Sequence, residues 1–193
     1  YLSQFIVVSS LFFLLKSNSI NYQNITIPFV FFILFSIIAG TAVINFTNFM
    51  DGIDGLVGGC YVVILITASF ISDSNILPLV GSIFGFLVLN WSPSKVFMGD
   101  AGSTFLGTIF TGIIFSSDQI INSIALILVA SPLIMDASSC VIRRFTCGYD
   151  IFSAHKMHLY QRLTQSGMSH SLVSFIYISC SSLLALVYLF FGL

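Results

Sequence analysis

Residues 45–56 carry Asn45, Asn48, Asp51, Gly52, Asp54 and Gly55 within one short stretch. Two carboxylates three residues apart, each followed by glycine, can converge on one side of a turn, and the glycines let a ligand approach the backbone. Left unpaired, such carboxylates repel and suppress each other's ionisation, so the pattern suits a cation near both. A hard divalent cation such as Mg²⁺ needs only one or two carboxylates when water and phosphate oxygens complete its shell. The plainer use of the same residues is a turn flanked by helix caps.

Two further stretches combine polar residues in useful ways. Gly99, Asp100, Gly102 and Ser103 open an apolar run. Asp100 and Ser103 there suit a helix cap, while Gly99 and Gly102 would expose amides where a helix N-terminus binds phosphate. Residues 155–162 hold His155, Lys156, His158 and Arg162. No Cys or Glu completes a zinc set around the two histidines. Lys156 and Arg162 beside them suggest an anion-facing surface, since Arg and Lys pair with phosphate and His donates a hydrogen bond or a proton. The same loop would also serve as a basic membrane anchor.

The elements that must position these residues are membrane helices. Of 193 residues, 57% are hydrophobic and only 7% charged, with a mean hydropathy of +1.05, whereas an ordinary globular chain carries roughly 25% charged residues. The net charge of -1 provides no basic surface for nucleic acid. Spanning the hydrocarbon core takes about 20 apolar residues. About seven such stretches are present, near 2–15, 27–47, 56–72, 76–91, 103–117, 121–142 and 172–193. Backbone groups cannot go unpaired in lipid, and period-2 alternation is absent, so the stretches are read as helices. The expected fold class is all-α, a polytopic transmembrane helix bundle forming one domain over 1–193.

Alternating these spans places loops 48–55, 92–102 and 143–171 on one side. That side holds Lys95, Arg143, Arg144, Lys156 and Arg162 against Lys16 on the other, which predicts a cytoplasmic face. All three motif stretches fall there. Asp136 lies about two turns inside the sixth span, where a carboxylate is costly and serves either function or a structural pair. His170 and Asp150 belong to no constellation and are read as loop residues. Cys60, Cys140, Cys147 and Cys180 have no ligand spacing and are read as small core residues.

Taken in order, residues 45–56, 97–104 and 155–162 resemble the signature loops of the polyprenyl-phosphate N-acetylhexosamine-1-phosphate transferases. These are the glycosyltransferase family 4 enzymes that initiate O-antigen, common-antigen and teichoic-acid synthesis, and they are related to the peptidoglycan lipid-intermediate transferase. The resemblance implies ten or eleven spans in the whole protein and a Mg²⁺ (or Mn²⁺) cofactor. Its implied partners are a UDP-N-acetyl sugar, a polyprenyl phosphate such as undecaprenyl phosphate and the bilayer, with a homodimer allowed. It implies a bacterial inner-membrane enzyme that transfers a sugar 1-phosphate and releases UMP. By resemblance Asp100 is the metal ligand, and Asp51 and Asp54 serve the nucleotide and metal region. His155 and His158 face the sugar-nucleotide diphosphate, with Asn45, Asn48, Gly99, Gly102, Lys156 and Arg162 in binding roles. The family's earlier adjacent Asp pair is absent, and the chain starts at Tyr1, so the expectation is a chain lacking its N-terminal spans and inactive alone. The form of the His loop leans toward O-antigen initiating enzymes and their deoxy-sugar substrates. The competing readings are a cation-coupled transporter, which would want midplane ionisable groups and repeated halves, and an inactive assembly subunit.

Overall fold

A helix that is apolar on every face has no stripe to turn to water and must be covered by protein or lipid. Leu56–Ile71 is such a segment, and it lies at the centre of the molecule. The computed structural model describes residues 2–16, 27–71, 75–117, 119–149 and 157–192. Among the described residues there are helices and no strands: α1 (Leu2–Lys16), α2 (Ile27–Met50), α3 (Leu56–Ile71), α4 (Leu77–Asn90), α5 (Gly99–Ser116), α6 (Ile120–Val129), α7 (Ser131–Thr146), α8 (Leu159–Gln165) and α9 (His170–Phe191). α3 packs chiefly on α9 and α4, while α2 runs along α5 and α7 and α1 closes against α2 and α5. Leu56, Tyr61, Phe110, Leu126 and Tyr177 belong to the main core. A smaller one joins Val8, Phe12, Ile37, Ile44 and Phe115.

Gly107 sets the α2–α5 contact. A Cβ there would stand 2.8 Å from Ile44 Cα, so the two backbones meet with no side chain between them. Gly107→Val is expected to lower the melting temperature of the detergent-solubilised protein through an overpacking cost of about 1–3 kcal/mol. Gly112→Ala, on the same helix but facing open space, should not lower it. Equal melting of the two variants would show that α2 and α5 do not meet at Gly107.

Large apolar side chains cover the outside: Phe31 is 67% exposed, Phe35 71% and Phe190 78%. A surface of that kind is stable against lipid and not against water. Each of the seven expected apolar stretches contains helix, but seven crossings is more than helix length and composition support. Two helices, Phe29–Met50 and His170–Phe191, are long and apolar enough to cross, and a third crossing follows if the bent α6–α7 pair is one span. α1, α3 and α4 are apolar but shorter.

The sixth stretch is two helices and not one. α6 and α7 meet at Ala130 with a bend of 73°. Pro132, in the first turn of α7, has no amide hydrogen for a helix running through, and its ring crowds the carbonyl four residues back.

The loops flanking α2, α4 and α8 gather at one end of the bundle. The Tyr160 hydroxyl donates to the Phe49 carbonyl at 3.1 Å, and Ser94 Oγ donates to Asp54 Oδ1 at 2.8 Å. Ser174 Oγ, on α9, donates to the Asp54 carbonyl at 2.7 Å. The motif stretches thus share one face, as the alternation of spans predicts. Of the four cysteines, Cys60 and Cys140 are buried as expected, whereas Cys147 and Cys180 are exposed.

Candidate active site

Asp51 begins the turn that ends α2, and Asp100 stands in the first turn of α5. Tertiary packing of α2 on α5 brings them together across 49 residues of sequence. Asn48 fixes the arrangement: its Nδ2 donates to Asp100 Oδ1 and to Ser103 Oγ, each at 3.0 Å. Burial, reinforced by the Asp100 charge, pushes the Asp51 carboxyl up to about 6, against a smaller opposing effect of a hydrogen bond from the Gly99 amide. Two carboxylates from different helices therefore face one another, and bringing a cation to them would relieve the repulsion.

The α5 N-terminus is used differently from the expected cap. No side chain caps it at Met98. Ser103 Oγ instead donates back to the Gly99 carbonyl at 3.0 Å. The Gly99 amide is spent on Asp51, and the α-carbon of Gly102 lies against the Met98 side chain.

Asp54 does not converge with Asp51, and this corrects the spacing argument. Gly55, at φ +75, turns the chain, and its amide donates to Asn90 Oδ1 at 3.0 Å while Asn90 Nδ2 donates to the Val96 carbonyl at 2.9 Å. That directs Asp54 toward Ser94 and toward His170 Nδ1, 3.3 Å from Asp54 Oδ2. Burial alone would raise the Asp54 carboxyl, but bonds from the Ser94 hydroxyl, His170, the Ser94 amide and Ser92 hold it below its ordinary value. Asp54 thus ties the 91–98 loop to the start of α9. His170 is not a loop residue but the first residue of α9, and Asn90, 5% exposed, is a structural knot that no charge or motif marks in the sequence.

The third stretch is organised by Asp136. From α7 it reaches the N-terminus of α8, accepting the Leu159 amide at 2.7 Å and the Tyr160 amide at 3.1 Å. It also accepts the Tyr177 hydroxyl at 2.7 Å. A carboxylate at that position satisfies orphan amides and the helix dipole together. Asp136 is therefore the structural pair of the two alternatives, with partners 23, 24 and 41 residues away. His158 precedes α8 with its Nδ1 3.9 Å from Asp136 Oδ1. It is only 3% exposed, stacked on Tyr160 and next to Phe49. The structure packs it behind the Asp51 turn instead of presenting it to solvent.

Of the other expected site residues, Asn45 is buried and donates to its own helix at the Thr41 carbonyl, 2.8 Å away. Arg162 is exposed and lines a cavity with Arg143 and Arg144. His155, Lys156 and Asp150 lie outside the described residues. Among the described residues no group of three or more His, Cys, Asp or Glu side chains gathers as a metal site, so a cation here would rest on two carboxylates and water, the manner of Mg²⁺.

The Asp51 carboxyl provides a direct test of this geometry. Its folded value of about 6 lies above the ordinary 3.8, so the folded state binds the proton more tightly, and stability falls as pH rises from about 4 through about 6. Asp51→Asn removes that loss. Metal-free protein carrying it should melt above wild type at pH 8 and alongside it at pH 4. Melting below wild type at pH 8 would show that Asp51 carries no unfavourable charge.

The sequence model described as Glycosyl transferase family 4 matches residues 1–118. The chain is 34% identical over 140 residues to a probable undecaprenyl-phosphate N-acetylglucosaminyl 1-phosphate transferase of Bacillus subtilis (strain 168), covering 65% of this chain and 38% of that protein. It is 30% identical over 169 residues to a decaprenyl-phosphate N-acetylglucosaminephosphotransferase of Mycobacterium leprae (strain TN), with 72% and 42% covered. A phospho-N-acetylmuramoyl-pentapeptide-transferase of Bacillus thuringiensis (strain Al Hakam) is 27% identical over 209 aligned positions, with 97% and 62% covered. The chain thus spans between 38% and 62% of the length of these relatives.

Proposed function

This chain belongs to glycosyl transferase family 4, and on that premise we propose that the complete protein transfers a sugar 1-phosphate from a UDP-N-acetyl sugar to a polyprenyl phosphate. In this reaction an oxygen of the lipid phosphate bonds to the β-phosphorus of the nucleotide sugar. The bond from that phosphorus to the bridging oxygen breaks, and UMP leaves with the electron pair. The products are a lipid diphosphate sugar and UMP, the first step of a lipid-linked envelope polysaccharide. The protein would sit in a bacterial plasma membrane with the motif face in the cytoplasm, where UDP-sugars are found.

The observation that carries this reading is the convergence of Asp51 and Asp100 from two helices, with Asn48 holding Asp100. Phosphoryl transfer asks mainly for positioning and charge neutralisation. Asp100 and Asp51 would hold Mg²⁺, whose chemistry is to neutralise the diphosphate. Asn48 keeps the Asp100 carboxylate aimed and Ser103 anchors Asn48 to α5. Asp54 holds the loop preceding Asp100 in place through Ser94, and α8 supports the Asp51 turn through the Tyr160–Phe49 bond.

An apolar cavity of about 390 Å³ among α1, α2, α5 and α6 is lined by Phe12, Phe35, Gly40, Val43, Phe115 and Ile127 among others, and extends from the α5–α6 connection at Ser117 to the middle of α2. Its lining suits an isoprenoid chain. The transporter reading loses its main support, because Asp136 is committed to α8 and Tyr177 and is not an open ion site.

Membranes containing the complete protein, given labelled UDP-GlcNAc, UDP-N-acetylquinovosamine or UDP-N-acetylfucosamine and undecaprenyl phosphate, should move label into an extractable lipid with equimolar UMP. The form of the His loop favours a deoxy sugar, as in O-antigen initiation, over UDP-GlcNAc and UDP-MurNAc-pentapeptide. Absence of lipid label with every UDP-sugar at saturating Mg²⁺ would refute the reading.

A further inference from the structure

His170 is the first residue of α9, and the helix itself has no use for an imidazole there. Ser169 already caps α9, its hydroxyl accepting the Leu172 amide at 3.3 Å. A cation is disfavoured at a helix N-terminus, where the macrodipole is positive. The imidazole is 44% exposed, so it adds little to the core. Its partner is the Asp54 carboxylate, with His170 Nδ1 3.3 Å from Asp54 Oδ2.

The other bonds to that carboxylate come from the loop after α4. Oδ1 accepts the Ser94 hydroxyl at 2.8 Å and Oδ2 the Ser94 amide at 3.4 Å, with a further bond from Ser92. Bonds from the loop alone would let loop and carboxylate swing together, because the terminal torsion of an Asp side chain is broad. His170 refers the carboxylate to a long helix instead. The same helix fixes the Asp54 backbone, since Ser174 Oγ donates to its carbonyl at 2.7 Å. α5 begins at Gly99, five residues beyond Ser94, and Asp100 follows.

We infer that His170 is a positioning residue for the Asp51–Asp100 site. By holding the Asp54 carboxylate against α9 it sets the 91–98 loop and, through that loop, the first turn of α5. The effect on transfer rests on the function proposed above; the effect on the loop does not. A hydrogen on Nδ1 is available in the imidazolium and in one neutral tautomer alike, so the bond needs a donor at that atom and not a charge. Asparagine carries its amide nitrogen as many bonds from the backbone as Nδ1, whereas glutamine carries its own as far out as Nε2.

The test measures hydrogen exchange in the metal-free complete protein in nanodiscs, at the Ser94, Lys95 and Val96 amides. Protection there should fall about tenfold in His170→Ala and His170→Gln, the scale of one hydrogen bond to a charged group. It should stay at the wild-type level in His170→Asn. All three variants should melt alike, because the side chain is largely outside the core. In an Asp54→Asn background His170→Ala should change nothing further. With Mg²⁺ and substrates, kcat should fall about tenfold in the Ala and Gln variants and recover in the Asn variant, the loss being one of transition-state positioning. Wild-type protection in His170→Ala, or equal losses in the Asn and Gln variants, overturns the inference. So does loop exchange in the expected order with unchanged kcat. Wild-type protein that transfers nothing, with exchange still in that order, counts against the transferase reading and supports the hold of His170 on the loop.

Discussion

Asp100→Asn is expected to cut sugar-phosphate transfer by about 10²–10³-fold at saturating Mg²⁺, the scale of losing one preorganised electrostatic contact to developing phosphate charge. The fold should survive. The amide oxygen of Asn can still accept from Asn48 Nδ2, which reaches Asp100 Oδ1 at 3.0 Å, and Asp100 is exposed. Removing the charge also removes the repulsion that raises Asp51, so metal-free Asp100→Asn should melt no lower than wild type at pH 8. Combining it with Asp51→Asn should cost little more than either alone, because groups that act as one unit are not additive. The assay is label transfer to extractable lipid with melting measured in parallel. Activity near wild type in a folded Asp100→Asn protein would remove Asp100 from the reaction.

The second large effect belongs to Asp136. Asp136→Ala strands the Leu159 and Tyr160 amides and the Tyr177 hydroxyl, three bonds to one carboxylate. Each such bond to a charged group contributes about 1.5–3 kcal/mol, and their loss together should cost on the order of 3–5 kcal/mol. Asp136→Asn keeps one oxygen but turns amide hydrogens toward donors, so it should fall between. Tyr177→Phe removes a single bond and should cost about 1.5–3 kcal/mol. Because α8 carries Tyr160 against Phe49, transfer should fall with stability in this series. Hydrogen exchange at Leu159 and Tyr160 checks it directly. Protection unchanged in Asp136→Ala would show that α8 does not depend on this carboxylate.

The sequence shows the helices and their common face well, because apolar runs this long leave the backbone few alternatives. It shows the site less evenly. Asp51 and Asp100 are each visible beside glycine, yet their pairing depends on α2 packing against α5 and cannot be read from spacing. Asp54 misleads for the opposite reason. Its spacing from Asp51 suggests partnership, while a positive-φ glycine and an uncharged Asn90 turn it toward Ser94 and His170. Asp136 is conspicuous as an acid within an apolar segment, but its partners lie 23 to 41 residues downstream. Arg143 and Arg144 register in the sequence only as positive charges that set sidedness, and the cavity they share with Arg162 is a product of folding.

The break at Ala130 alters what residue number says about depth. α6 has ten residues and rises roughly 15 Å, half of a hydrocarbon layer about 30 Å thick. Past a turn of 73°, each α7 residue advances only about 0.4 Å along the α6 axis instead of about 1.5 Å. Asp136 and Arg143, seven residues apart, then differ along that axis by roughly 3 Å and not by roughly 10 Å. The carboxylate has been carried sideways, to nearly the level of the arginines. A straight helix would have carried Asp136 further along that axis toward the motif face, so the bend keeps the acid deeper in the bundle, where donors from α8 and α9 take the place of water.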